Sequence, residues 1–185
     1  MTDYQSFIAS KRLVALPAGF EPPPLNPAMF PHQRDVTAFA LRQGRAALFL
    51  DTGLGKTFSA LEWGRVIVEA TNKPVLMLAR ARAIHETTGH DVLILTPLAV
   101  AAQFVREGER FGIAVRHVRE DADCDGAAIC VANYERLHLM RPERFAGVVL
   151  DESSILKSMM GATKRALVEA FRDHRFKLCC TATPA

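Results

Sequence analysis

A glycine-rich segment between two apolar segments contains the residues best suited to hold a phosphate group. Residues 51–57, Asp-Thr-Gly-Leu-Gly-Lys-Thr, follow the apolar run 46–50 and precede the helix-favouring run 58–63. A strand, a glycine turn, a Gly-Lys-Thr triplet and a helix form the layout of a phosphate-binding loop. Glycine permits backbone conformations in which successive N–H groups converge on an anion, and a helix N-terminus favours negative charge. The segment therefore predicts a nucleoside triphosphate site.

Each residue type in this segment has a defined part in that chemistry. The Lys56 ammonium would reach the outer phosphates, and the Thr57 hydroxyl would bind Mg²⁺. The nucleotide-binding residues predicted within the segment are Thr52, Gly53, Leu54, Gly55, Lys56 and Thr57. Leu50 stands where the full pattern G-x-x-x-x-G-K-[ST] requires glycine. An ordinary glycine turn at the end of a strand is the alternative interpretation.

Two adjacent carboxylates, Asp151 and Glu152, form a second candidate group, because they follow the apolar run 147–150. Mg²⁺ prefers hard oxygen ligands, commonly one carboxylate together with water and phosphate oxygens. Asp151 suits that role beside Thr57, and Glu152 would orient and polarise an attacking water molecule. Phosphoryl transfer depends mainly on positioning and charge neutralisation. Lys56, Asp151 and Glu152 are therefore the predicted catalytic residues, with a solvated acid pair at a strand end as the alternative.

The composition is that of a globular domain of ordinary size. The chain has 185 residues, of which 49 % are hydrophobic and 23 % are charged, so a sizeable core is possible. A net charge of +3 is compatible with a nucleic-acid partner without indicating one. No apolar run is long enough to span a bilayer, and the first residues lack the layout of a signal peptide. The four cysteines include no C-x-x-C pair, which favours reduced thiols and a cytoplasmic location.

Short apolar strands that alternate with helices predict an α/β fold. The predicted strands are 46–50, 92–96, 114–118, 128–132, 147–150 and 176–180. The predicted helices are 32–43, the segment from the glycine loop to about residue 70, 75–84 (with a strand as the alternative for its first part, 75–79), 99–110 and 162–173. This alternation is typical of a parallel sheet that is covered on both faces and binds ligands at the carboxyl ends of its strands. The proline-rich residues 1–30 are expected to pack on or beside the domain formed by residues 31–185.

Four further short segments complete an ordered set. They are Phe-Pro-His-Gln at 30–33, Leu-Thr-Pro-Leu at 95–98 with Gln103, Val-Ala-Asn-Tyr-Glu-Arg-Leu at 131–137, and Thr-Ala-Thr-Pro at 181–184. Together with 49–57 and 151–157, their order resembles the first RecA-like lobe of a superfamily 2 helicase or translocase. The resemblance extends from residue 29 to residue 185 and is greatest to the Swi/Snf-type ATPases and their phage relatives, in which the missing first glycine is usual.

The resemblance implies a three-layer RecA-like P-loop domain with a mainly parallel central sheet, which binds ATP and Mg²⁺. It implies that Gln33 recognises the adenine edge. It assigns to nucleic-acid contact or to coupling the residues Thr96, Pro97, Gln103, Asn133, Tyr134, Lys157, Thr181 and Thr183. Two features depart from the family pattern: Ser153-Ser154 replaces Ala-His or Ala-Asp, and the connection 74–90 is longer than usual.

The resemblance also implies partners. The family carries a second RecA-like lobe with an arginine finger, which no segment of this chain can supply. The chain alone is therefore expected to bind nucleotide weakly and to hydrolyse it slowly or not at all. An ATP-dependent motor on DNA, in double-stranded form, is the leading expectation. An RNA helicase, the motor of a restriction system and a non-catalytic nucleotide-gated binding module are the alternatives, and no membrane partner is expected.

Overall fold

The computed structural model describes residues 17–71, 91–157 and 161–182. The predicted helix at 75–84 and the long connection 74–90 lie outside the described residues. The strands are β1 (Arg45–Phe49), β2 (Asp91–Thr96), β3 (Arg116–His117), β4 (Ile129–Asn133), β5 (Phe145–Leu150) and β6 (Phe176–Thr181). The α-helices are α1 (Pro31–Gln43), α2 (Lys56–Thr71), α3 (Ala101–Phe111) and α4 (Gly161–Ala170). A short 3₁₀ turn lies on each side of β4 and on each side of β5.

The six strands form one sheet in the order β1-β6-β5-β2-β4-β3, and every pairing among them is parallel. The prediction of an α/β domain with a mainly parallel sheet is confirmed. Because all strands run in one direction, their carboxyl ends meet at one edge of the sheet. Thr96 pairs with Asn133 there, and Phe49 pairs with Thr181. Segments that follow different strands are thereby brought together at this edge.

Alternate residues of the central strands contribute to two separate cores, one on each face of the sheet. Ile94 and Val149 join the core that contains Trp63 of α2, whereas Leu95 and Val148 join the core that contains Leu167 of α4. Side chains alternate between the faces of a strand, so a strand covered on both faces is apolar along its whole length. This explains why β2 and β5 are continuous apolar runs. The result is the expected three-layer arrangement.

Helix α2 carries the residues that follow the glycine loop, and it is buried on nearly all sides. Leu61, Trp63 and Ile67 are completely buried against the sheet and the neighbouring helices. Glu62 is also completely buried, and its carboxylate accepts hydrogen bonds from the Arg65 guanidinium at 2.7 and 2.8 Å. A buried carboxylate with a hydrogen-bonded cation avoids most of the cost of an unpaired charge. The helix that follows the glycine loop is therefore anchored in the core by its middle turns.

The described part of the proline-rich segment packs along α1 and reaches α2. The Ala18 and Phe20 amides donate to the Gln43 and Leu41 carbonyl oxygens at 3.0 and 3.1 Å. Further along, the backbone amide of Asn26 donates to the buried Glu62 carboxylate at 2.8 Å. The segment thus connects the two helices that flank the glycine loop.

Most element boundaries lie within one or two residues of the sequence expectations, and two larger differences have physical reasons. The predicted strand at 114–118 shortens to Arg116–His117, because β3 is the last strand of the sheet and both residues are exposed. The predicted helix at 162–173 ends at Ala170, where tight turns through Arg172 and His174 lead the chain into β6. Within the described ranges, no helix is both long and apolar enough to cross a membrane.

Candidate nucleotide site

The loop between β1 and α2 has a backbone that only glycine adopts readily. Gly53 and Gly55 have φ angles of 85° and 81°, in the left-handed region. A side chain on Gly55 would also place its Cβ 2.1 Å from the Gln33 Nε2 atom. The loop leads directly into α2, whose first N–H groups have no acceptor within the helix. Such a turn at a helix N-terminus favours an anion.

Lys56 is the first residue of α2, and its ammonium group lies back over the loop. Its Nζ atom donates to the Leu50 carbonyl oxygen at 3.1 Å and lies 3.4 Å from the Asp51 carbonyl oxygen. Leu50 contributes its backbone to this contact, while its half-buried side chain packs against the core. Its φ angle is not positive, so glycine is not required at this position. The missing glycine of the full pattern is therefore compatible with the loop geometry.

Asp151 follows β5 and is almost fully buried, with 5 % of its surface exposed. Its Oδ2 atom accepts a hydrogen bond of 3.0 Å from the Thr96 hydroxyl, and its backbone amide donates to the Leu95 carbonyl at 2.9 Å. The Tyr134 hydroxyl donates to the Asp151 carbonyl oxygen at 2.7 Å. Burial raises the pKa of Asp151, and the neighbouring Glu152 charge acts in the same direction, while the Thr96 hydrogen bond opposes the rise. A cation next to this carboxylate would stabilise its charged form.

Glu152 is the next residue, and its environment differs from that of Asp151. Its side chain is 41 % exposed, and its Oε1 atom lies 4.0 Å from Lys56 Nζ. Its φ angle of 48° is the only positive one outside glycine among the described residues. Left-handed backbone at a non-glycine residue is unfavourable and tends to occur at functional sites. The two acids are thus separated into a buried carboxylate and an accessible carboxylate that faces the lysine.

Gln33 connects the start of α1 with the glycine loop. Its Nε2 atom donates to the Leu54 carbonyl oxygen at 3.2 Å, and its Oε1 atom accepts from the Phe30 amide at 3.0 Å. His32 lies beside it, with Nε2 at 3.3 Å from the same Leu54 oxygen. His32 is a contact that the sequence analysis did not identify, although it belongs to the segment 30–33. Phe30 is 66 % exposed and lies parallel to the His32 ring at a centroid distance of 6.0 Å.

The residues assigned to nucleic-acid contact or coupling fall into two groups. Pro97 and Gln103 reach the surface. Thr96, Asn133, Tyr134 and Thr181 are buried at the carboxyl edge of the sheet. The Lys157 side chain and Thr183 lie outside the described residues. The structure therefore brings Thr96 and Tyr134 to Asp151 rather than to the surface.

The residues at this edge fit a magnesium nucleotide. No group of three or more metal-binding side chains occurs in the part of the chain that the structure describes. Mg²⁺ that takes most of its ligands from phosphates and water needs only one or two protein oxygens. The Asp151 carboxylate and the hydroxyl of Thr57, which is half-buried in the first turn of α2, are oxygens of the kind that such an ion requires. Thr52, whose amide is bonded to the Asp51 side chain at 2.7 Å, stands at the entrance to the loop.

Comparison with known proteins supports a fold class. No protein-family profile matches the chain, and no curated protein matches it. Among solved structures, the UvsW helicase of bacteriophage T4 aligns with a TM-score of 0.65 and 15 % identity over 98 % of this chain and 60 % of that chain. The SWI2/SNF2 ATPase core of Sulfolobus solfataricus in complex with double-stranded DNA aligns with a TM-score of 0.61 and 18 % identity, over 89 % of this chain and 34 % of that chain. A hypothetical ATP-dependent RNA helicase of Sulfolobus tokodaii aligns with a TM-score of 0.54 and 19 % identity, over 82 % of this chain and 45 % of that chain.

The chain thus shares the fold of these helicase and ATPase structures, which confirms the RecA-like α/β fold expected from its motifs. It spans 60 % or less of the length of these solved structures.

Proposed function

We propose that this chain is the ATP-binding lobe of an ATP-dependent nucleic-acid motor. The observation that carries the proposal is the meeting of the glycine loop and the acid pair at one sheet edge, with Lys56 Nζ 4.0 Å from Glu152 Oε1. Parallel sheets of this kind usually bind their ligands at the carboxyl ends of the strands, where these groups lie. The helicase and ATPase structures that share the fold support the same function.

In this proposal the chain's residues divide the work of phosphoryl transfer. The amides of the loop and the Lys56 ammonium bind the phosphates, and Thr57 and Asp151 hold Mg²⁺. The bound Mg²⁺ neutralises charge on the phosphate oxygens. Glu152, which is accessible and faces Lys56, orients the attacking water. Gln33 holds the Leu54 carbonyl and thereby the loop, and contact with the adenine edge remains its proposed second role.

A nucleotide titration of matched lysine variants tests the proposal. Lys56→Ala removes the charge that faces the phosphates, whereas Lys164→Ala removes an exposed lysine on α4. Binding of a fluorescent ADP analogue in Mg²⁺ is measured for both variants, with melting temperatures as the folding control. We expect Lys56→Ala to lose at least about tenfold in affinity, since a hydrogen bond to a charged group contributes roughly 1.5–3 kcal/mol. Equal affinity of the two variants would contradict the proposal.

We propose double-stranded DNA as the partner of the motor, because the segment 51–57 resembles the Swi/Snf type and a structure of similar fold was solved with double-stranded DNA. RNA is a second candidate, supported by the similar fold of a hypothetical RNA helicase. A second lobe would complete the hydrolytic site, so turnover by this chain alone is proposed to be slow. Stimulation of ATP hydrolysis by duplex DNA or by RNA, measured after a second lobe is supplied, distinguishes the two partners.

A further inference from the structure

Three hydrogen bonds fix Asp151 to the ends of two other strands. The Thr96 hydroxyl, at the end of β2, reaches the carboxylate at 3.0 Å, and the Leu95 carbonyl accepts the Asp151 amide. Tyr134, which follows β4, holds the Asp151 carbonyl oxygen at 2.7 Å. Of these three bonds, the Thr96 bond acts on the side chain of Asp151, while the other two act on its backbone. The Glu152 backbone amide is a second donor to the carboxylate and, like Thr96, favours its charged form.

The Thr96 hydroxyl is placed to set the orientation of the carboxylate. The terminal torsion of an aspartate has a broad energy profile, so the backbone alone does not fix the direction of the two oxygens. Thr96 is completely buried, which protects its hydrogen bond from competition with water. Hydrogen bonds to a charged acceptor are shorter and stronger than bonds between neutral groups. The hydroxyl can therefore select one orientation of the carboxylate.

The burial of Thr96 also argues against a direct contact of its hydroxyl with nucleic acid. None of its surface is exposed, whereas the following Leu98 is 72 % exposed. A phosphate group on a bound strand would meet the residues after Thr96 before it met the hydroxyl. The hydroxyl instead donates its hydrogen bond to Asp151 Oδ2.

We propose that Thr96 is a positioning residue that orients the Asp151 carboxylate for Mg²⁺. This inference rests on the proposed function, in which Asp151 is a magnesium ligand. Tyr134 has a different role, because its hydroxyl donates to the backbone carbonyl oxygen of Asp151 and not to its carboxylate. The two residues thus offer a matched pair of variants: each loses one buried hydroxyl that contacts the same residue.

The test compares nucleotide binding with and without Mg²⁺. For each variant, the Kd of a fluorescent ADP analogue is measured in excess EDTA and in saturating Mg²⁺. The Kd in EDTA divided by the Kd in Mg²⁺ is the ratio that reports the contribution of the metal. Thr96→Val removes the hydroxyl at nearly constant shape, and Thr96→Ser retains it. Tyr134→Phe is the matched control, Asp151→Asn is the positive control, and melting temperatures monitor folding.

We expect Thr96→Val to lower the ratio by about tenfold, the value of a hydrogen bond to a charged group. Its Kd in EDTA should equal the wild-type value, and Thr96→Ser should restore the ratio. Tyr134→Phe should lower the melting temperature but keep the ratio. An unchanged ratio in Thr96→Val, or an equal loss in Tyr134→Phe, would overturn the inference while leaving the proposed function intact.

Failure of the proposed function has a different signature. If the wild-type chain itself binds nucleotide no better in Mg²⁺ than in EDTA, and Asp151→Asn behaves as the wild type, both the proposed function and this inference are wrong. If Thr96→Val does not fold, Thr96→Ala repeats the test, because it also lacks the hydroxyl and adds no bulk beside the carboxylate. A wild-type ratio in a folded Thr96→Ala variant overturns the inference in the same way.

Discussion

The Lys56 ammonium lies 4.0 Å from the Glu152 carboxylate, so the glycine loop and the acid pair meet although they follow different strands. The Lys56 side chain is 12 % exposed and that of Glu152 is 41 % exposed. An ion pair with one partner so accessible contributes at most about 1 kcal/mol to stability. The position of Glu152 is therefore more informative about chemistry than about folding.

We expect Glu152→Gln to separate nucleotide binding from hydrolysis. The amide keeps the shape of the side chain but cannot accept a proton from water, and such acid–base groups contribute about 10²–10⁴-fold in rate. Affinity for Mg-ADP should remain near the wild-type value, while single-turnover hydrolysis of labelled ATP should fall by about 100-fold. Glu143→Gln, at an exposed position away from the loop, is the control. Equal hydrolysis by wild type and Glu152→Gln would exclude this role for Glu152.

Gly55 and Gly53 allow a matched comparison of the loop. Both have positive φ, but a Cβ on Gly55 would lie 2.1 Å from Gln33 Nε2, whereas a Cβ on Gly53 would meet nothing within 4 Å. Gly53→Ala should thus cost about 1–2 kcal/mol from backbone strain alone. Gly55→Ala should cost more and should weaken nucleotide binding further. Denaturant unfolding and ADP titration measure the two effects.

A double variant checks the steric origin of that difference. Gln33→Ala removes the side chain that the new methyl group at position 55 would contact, so Gly55→Ala should be less harmful in a Gln33→Ala background than in the wild type. The interaction energy from the double-mutant cycle should be significant for this pair. The same cycle with Gly53→Ala should be additive. A strictly additive result for Gly55→Ala would contradict the contact.

The sequence was sufficient to predict the strands that carry the site. The runs 92–96 and 147–150 are apolar throughout, because both faces of β2 and β5 are covered, and this pattern indicates buried parallel strands directly. The acid pair and the glycine loop could therefore be placed at strand ends. The strand at 114–118 was predicted too long, since pairing at the edge of the sheet depends on a partner that the local sequence does not reveal.

The contacts within the site were harder to predict than the elements. Thr96 is the last residue of β2 and Asp151 follows the neighbouring strand β5, so their contact depends on the register in which Leu95 is paired with Leu150. No local pattern encodes that register, so Thr96 was interpreted as a nucleic-acid contact. For Gln33, the local segment indicated a functional glutamine, but only the packing of α1 on the loop shows that its amide holds Leu54. Direct contact of Gln33 with adenine stays a prediction.

The buried carboxylate of Glu62 is expected to stabilise the arrangement of α2 and the proline-rich segment. It accepts hydrogen bonds from Arg65 and from the Asn26 amide and is completely buried. Removal of one partner from a buried ion pair costs about 3–5 kcal/mol. Glu62→Gln should therefore lower the free energy of unfolding by about 3 kcal/mol, whereas Glu69→Gln, on the exposed side of Arg65, should change it by less than about 1 kcal/mol. Chemical denaturation of both variants provides the measurement, and similar effects would rule out a special role for Glu62.

His174 is expected to make the stability of the chain depend on pH. Burial lowers the pKa of His174; the nearby Lys177 acts in the same direction, whereas the Pro142 carbonyl and Asp173 oppose it. The imidazole Nε2 atom lies 2.9 Å from the Pro142 carbonyl oxygen, and a neutral ring can donate this bond. Because the unfolded chain binds a proton near the ordinary pKa of about 6.5 and the folded chain binds it only at lower pH, stability should fall as the pH drops below about 6.5.

The slope of this decline is limited to about 1.4 kcal/mol per pH unit for a single group. His174→Gln keeps a side-chain amide that can donate to Pro142 but has no titration in this range. We therefore expect the unfolding free energy of His174→Gln to vary less with pH than that of the wild type. The relevant range extends from pH 7 down to the pKa of His174 in the folded chain, which lies below the ordinary value. His138→Gln, at an exposed position, should retain the wild-type slope. Parallel pH profiles for the wild type and His174→Gln would show that His174 does not titrate differently in the folded and unfolded chains.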